Sequence, residues 1–118
     1  MLEEISKDII RGHVNAIILN VLSQGDSYGY EISKTVKGLS GGKYVINEAT
    51  LYTVFRRLEK AKEIKSYWGD ESQGGRRKYY QITALGEAQL KEARQSWDFA
   101  KEIITALITG RIGGEEDA

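Results

Sequence analysis

At Ile64 the spacing of apolar residues changes from about 3.6 residues to 2, and this switch constrains the fold more than any other feature. Upstream, three segments repeat at helical spacing. Downstream, two short alternating runs flank a Gly-rich connection, and a long helical pattern follows. Helices, then a hairpin, then one further helix leave few architectures for 118 residues, the size of a single domain.

Ile10, Val14, Ile17 and Val21 fall on one face, so a first helix is expected from about Ile5 to Leu22, more buried toward its end where Ile18 and Leu22 widen that face. Gln24, Gly25 and Asp26 close it, Gly25 supplying the positive φ of a C-terminal cap. A second helix, from about Tyr28 to Leu39, carries Tyr28, Ile32 and Val36 on one side and ends at Ser40, Gly41 and Gly42. Asn47 ahead of Glu48 is an N-cap signal and starts a third helix that reaches about Ala61.

Ile64 to Trp68 and Arg77 to Ile82 alternate as strands, joined through Glu71, Ser72, Gln73, Gly74 and Gly75 into a hairpin. Thr83 caps a last helix to about Thr109, and Gly110, Gly113, Gly114 and the acidic ending describe a frayed tail. The expected fold is mainly α with a β-hairpin wing. A winged helix-turn-helix DNA-binding domain is expected over 1–83, a dimerisation helix over 84–109 and a flexible acidic tail over 110–118.

Seventeen Lys and Arg against seventeen Asp and Glu give no net charge, which argues at first against a nucleic-acid surface. The distribution reverses that. Asn47 to Ile82 holds eight cations against five carboxylates, whereas four cations meet seven carboxylates from Thr83 onward. One part can face phosphate while the other turns away.

The lack of Cys excludes disulfides, thiolate metal sites and a Cys nucleophile, and fits a reducing compartment. An acidic start, and an apolar run broken by Lys7, Arg11, His13 and Asn15, do not make a signal peptide. With no apolar stretch of about 20 residues either, a soluble cytoplasmic protein without a membrane partner is expected. A single His and no HExxH, GxSxG or phosphate-binding Gly loop make catalysis, a metal or a cofactor unexpected.

On the third helix Leu51, Val54, Phe55 and Leu58 share a face, so the opposite face is centred on Ala49, Thr53, Arg56 and Lys60, with Thr50, Tyr52 and Arg57 flanking it. Those side chains suit a major groove, and they equally suit an ordinary solvated helix face. The hairpin favours the groove. Gly74 and Gly75 free its tip for close approach, and Arg76, Arg77 and Lys78 follow at once as a basic prong for a phosphate backbone or minor groove. Together with Asn47 these residues form the expected interface with double-stranded DNA; Trp68, Tyr79 and Tyr80 are read as packing residues of the hairpin.

Along the last helix Leu90, Trp97 and Ile104 recur every seven residues, with Ala93, Ala100 and Leu107 between them. This is the pattern of a helix seam, so a homodimer is expected, which would present two recognition helices to a palindromic operator. Around Trp97 the small residues Ala93, Ser96 and Ala100 leave either a flat gap suited to planar aromatic small molecules or an ordinary dimer core. His13 is expected at the surface or the interface.

The segments NEATLYTVFRRLEK and SYWGDESQGGRRKYYQIT closely resemble the PadR family, and within it the short multidrug-binding regulators. The resemblance runs from about Ile5 to Thr109. Its most specific parts are YGYEI from Tyr28 to Ile32, ATLY from Ala49 to Tyr52, and GGRRKYY from Gly74 to Tyr80 followed by Thr83.

The resemblance implies a homodimeric transcriptional repressor whose last helix packs on its partner and whose DNA affinity falls when small aromatic ligands bind. Relatives of this kind often control drug efflux or phenolic acid detoxification. It further implies that Trp97 is the stacking residue, that Ile9, Gly12 and Ala16 line the ligand's walls, and that Lys101 lies near the mouth. Two positions depart from the family pattern. Lys62 stands where Gly is usual, so that turn must change conformation or accept strain of about 1 kcal/mol, and the Pro common near Arg76 is missing. A winged-helix module for protein contacts and a DNA-binding dimer without effector remain the alternatives.

Overall fold

The computed structural model describes residues 4–69 and 76–111. Its elements are α1 (Lys7–Ile10), a 3-10 turn (Arg11–His13), α2 (Val14–Ser23), β1 (Ser27–Tyr28), α3 (Gly29–Leu39), α4 (Glu48–Lys60), β2 (Ile64–Trp68), β3 (Lys78–Ile82) and α5 (Ala84–Thr109). The chain is thus mainly helical, with a small antiparallel wing and a long C-terminal helix. The hairpin connection through Gly74 and Gly75, and the tail from Ile112 on, lie outside the described residues.

Two features differ from the sequence expectation. The first helix is broken at Arg11–His13, where Gly12 weakens helical backbone and no side chain of the turn is buried to hold it. The sheet has three strands in the order β1-β3-β2, because Ser27 and Tyr28 pair with Tyr80 and Tyr79. β3 is therefore central, with Ile64 opposite Ile82 and Trp68 opposite Lys78 on its other side.

The helix ends follow from local chemistry. Asn47 Oδ1 accepts from the Thr50 amide at 2.8 Å, and Thr83 Oγ1 accepts from the Gly86 amide at 3.1 Å while donating to the Lys62 carbonyl at 2.8 Å. α3 ends in a Schellman motif, with the Gly42 amide on the Lys37 carbonyl, the Gly41 amide on that of Gly38, and Gly41 at φ 62°. α4 ends the same way: the Glu63 amide reaches the Leu58 carbonyl and the Lys62 amide that of Glu59. There the left-handed position is Lys62, at φ 63°. Of the two outcomes open to this turn, it keeps the geometry and accepts the strain.

The core gathers Ile18 and Leu22 of α2, Ile32 and Val36 of α3, and Val54, Phe55 and Leu58 of α4. Ile64 and Tyr80 close it from the sheet, and Leu90 closes it from α5. Gly86 lets α5 cross close to the sheet, since a Cβ there would overlap the Glu63 carbonyl oxygen and stand 2.7 Å from Ile82 Cγ1. Beyond Leu90, no residue of α5 is fully buried. Among the described residues no helix is long and apolar enough to cross a membrane.

Candidate nucleic-acid interface

α4 buries Leu51, Val54, Phe55 and Leu58 and exposes Ala49, Thr50, Tyr52, Thr53, Arg56, Arg57 and Lys60, the division its period demands. Within that exposed set the side chains are not equivalent. Asn47 is held by its capping bond. Thr53 donates to the Ala49 carbonyl at 2.9 Å and accepts from Arg56 Nη2 at 3.3 Å, which lays Arg56 along the exposed side. Arg57 turns toward α2 and donates to Asn15. Tyr52 leans on Phe55, with ring centroids 5.6 Å apart, and its hydroxyl lies where a Cβ on Gly29 would come within 3.1 Å.

The wing carries its cations on aromatic rings. Arg76 lies 5.2 Å from the Trp68 ring, Arg77 lies 4.5 Å from that of Tyr28, and Lys78 is 6.0 Å from both Trp68 and Tyr80. All three cations are exposed. Expected as packing residues, the hairpin aromatics divide. Tyr80 is buried and stacks on Phe55 at 3.9 Å, and Tyr79 is half-buried between Tyr28 and Tyr67. Trp68 instead stands 56% exposed as a platform for Arg76 and Lys78, because β2 runs past the edge of the core at its end.

Two networks fix the wing, one to the connection between α2 and β1 and the other to α4. The Tyr67 hydroxyl donates to Asp26 Oδ2 at 2.6 Å, and Gln81 Nε2 donates to the same oxygen at 3.3 Å. The bond to Asp26 stabilises the protonated phenol and holds the Tyr67 pKa above its ordinary value. On the inner side the Ser66 hydroxyl donates to Glu59 at 2.7 Å. Burial, and then the charges of Glu59 and Tyr52, push the Tyr80 phenol up to about 12.

The proposed seam residues are also divided. Leu90 packs in the chain's own core, near the start of α5 where that helix lies against α2 and the sheet. Ala93 and Ala100 are half-buried, Ser96 and Lys101 exposed, and Lys101 pairs with Asp98 at 3.1 Å. Trp97, Ile104 and Leu107 stand open to solvent, as do Phe99, Ile103 and Ile108, which were not singled out in the sequence. Trp97 meets His13 edge-on, with centroids 5.0 Å apart. Nearby, Ile9 and Gly12 are exposed and Ala16 is half-buried.

Residues 18–92 match the family model described as the transcriptional regulator PadR-like family. The chain is 49% identical over 106 residues to an uncharacterised protein of Lysinibacillus sphaericus, covering 90% of this chain and 97% of that one. It is 30% identical over 99 residues to the transcriptional regulator YqjI of Escherichia coli, covering 84% of this chain but 46% of YqjI, so it spans about half of that protein's length. Among solved structures it is similar to a transcriptional regulator from Clostridium thermocellum, with a TM-score of 0.78 and 49% identity over 83% of this chain and 95% of that one.

Proposed function

Because the chain belongs to the PadR-like family of transcriptional regulators, proteins that bind DNA and are not enzymes, we propose that it is a homodimeric repressor of a palindromic operator. In this reading α4 of each protomer enters the major groove with Ala49, Thr50, Thr53 and Arg56. Arg76, Arg77 and Lys78 of the wing meet the flanking backbone. One observation carries it: Tyr52 of α4 lines the same surface cleft as Arg77 and Lys78, so the recognition helix and the basic wing present one continuous face.

The apolar residues of α5 that no part of the described chain covers supply the dimer contact, and a planar aromatic effector stacks on Trp97 to weaken operator binding. A small domain rarely leaves so many large apolar side chains open on one helix unless another chain covers them. Coupling to DNA follows from connectivity, since a single residue, Thr83, separates the end of β3 from the start of α5. The coupling equals the difference in ligand affinity between free and DNA-bound dimer, about 1 to 3 kcal/mol.

Selection of duplexes from a random pool tests the first part: the expected product is a palindrome bound in a salt-sensitive manner, and retention of every sequence alike would favour a module for protein contacts. Titration of flat dyes against the parent and Trp97→Ala tests the second. Binding that persists unchanged in Trp97→Ala removes the effector site from the indole.

A further inference from the structure

An open cleft of about 510 Å³ lies between the start of α3, α4 and the wing, with Tyr28, Tyr30, Tyr52, Trp68, Arg77 and Lys78 in its walls. Among the described residues that line it, the charged ones are Arg77 and Lys78. The cations stand on aromatic rings, Arg77 on Tyr28 and Lys78 beside Trp68. Cations held in this way lose less conformational freedom on meeting an anion than freely rotating ones do.

Tyr30 is 72% exposed and Trp68 is 56% exposed, so neither ring serves the core. Neither belongs to the base-reading side of α4. Their position explains them. The cleft runs from Tyr52 on α4 to Arg77 and Lys78 of the wing, so a duplex held by both elements must carry a backbone strand past it.

We propose that the cleft seats one phosphodiester and its deoxyribose in each half-site. The Tyr30 hydroxyl donates to a phosphate oxygen, Arg77 and Lys78 neutralise the charge, and the Trp68 indole packs against the sugar. The inference rests on the DNA-binding reading above and assigns Tyr30 and Trp68 to it. Such a contact sets the register of the protein on the duplex without reading a base.

The full chain is tested with the duplex it selects, each phosphate being replaced in turn by an uncharged methylphosphonate. Tyr30→Phe removes only a hydroxyl from an exposed ring, so folding is preserved, which thermal unfolding checks. A hydrogen bond to a charged group corresponds to about a tenfold change in affinity. At one phosphate per half-site the methylphosphonate should weaken the parent by more than that factor, since Arg77 and Lys78 lose their anion as well, and should weaken Tyr30→Phe about tenfold less than it weakens the parent, while at other phosphates the two effects multiply. Trp68→Leu should lower affinity for selected and unrelated duplexes by the same factor.

If the two changes combine independently at every phosphate, or Tyr30→Phe alters base preference instead of overall affinity, the seat is not there. If benzoate binding is lost in Tyr30→Phe while duplex binding is unchanged, the cleft belongs to a small aromatic anion. A parent that binds no duplex at all overturns the DNA reading itself, and this inference with it.

Discussion

Arg57 in α4 donates from Nη2 and Nε to the single Oδ1 of Asn15 in α2, at 2.6 and 3.1 Å. Two donors on one acceptor fix the plane of the guanidinium against the first helical layer. Among the described residues its neighbour Arg56 is held through Thr53 alone, at 3.3 Å, and lies along the exposed side. The two arginines are adjacent in sequence and unequal in the fold.

Arg56→Ala should therefore cost about 1 to 3 kcal/mol on the preferred duplex and relax selectivity at one base pair, as loss of a bidentate contact to guanine does. Arg57→Ala should weaken all duplexes slightly and alike. Equilibrium binding to the preferred duplex and its single-base variants checks both. Equal loss of base preference in the two variants would contradict the assignment.

Lys62 occupies a left-handed position that α3 gives to Gly41. With the same Schellman bonds at both helix ends, the difference is the strain of a Cβ at positive φ, so Lys62→Gly should stabilise the chain by up to about 1 kcal/mol. Urea unfolding measures it. A loss of stability would show that the Lys62 side chain contributes more than its backbone costs.

Tyr80 is buried, and its phenol is raised to about 12. Its folded pKa lies above its unfolded value of 10.0, so the stability it contributes is complete below pH 10 and is lost as the pH rises toward 12. The loss attributable to this group is of order 1 to 2 kcal/mol. Unfolding at a series of alkaline pH values should show a steeper decline in the parent than in Tyr80→Phe, where the raised Tyr67 and Tyr44 phenols still contribute. Identical slopes in the two proteins would assign the alkaline transition to other groups.

Ile104 is 46% exposed in one chain, and Leu107 and Ile108 are each 78% exposed. Ile104→Glu would place a charge against its symmetry mate in the proposed seam, at a cost of several kcal/mol. Sedimentation at micromolar concentration should find the parent dimeric and the variant monomeric. A dimeric variant would move the interface away from Ile104.

α3, α4, β2 and α5 were legible from their own periods, helped by end signals: Asn47 and Thr83 as caps of α4 and α5, Gly41 as the terminator of α3. β1 was not. Two residues have no period, and their pairing with Tyr79 and Tyr80 depends on where the chain returns in space. Alternation puts Trp68 on the same side of β2 as Ile64, yet only the fold reveals that the core ends before the strand does.

At the candidate interface, residue types and helix face could be read from α4, whereas the capture of Arg57 by Asn15 joins positions 42 residues apart that no local pattern links. The burial of Leu90 within its own chain was hidden for a related reason. A heptad marks which residues share a stripe, but not which part of the stripe its own chain already covers.

The central claim is that α4 and the wing together hold duplex DNA, and the wing's share of the salt dependence tests it most directly. Affinity for the selected duplex is measured from low to physiological salt for the parent and for the variant carrying both Arg76→Ala and Arg77→Ala. Each lost phosphate contact removes about one counterion from the linkage, so the double variant should bind every duplex more weakly with a salt slope shallower by up to about two. A slope identical to that of the parent would take the wing out of the interface and contradict the account.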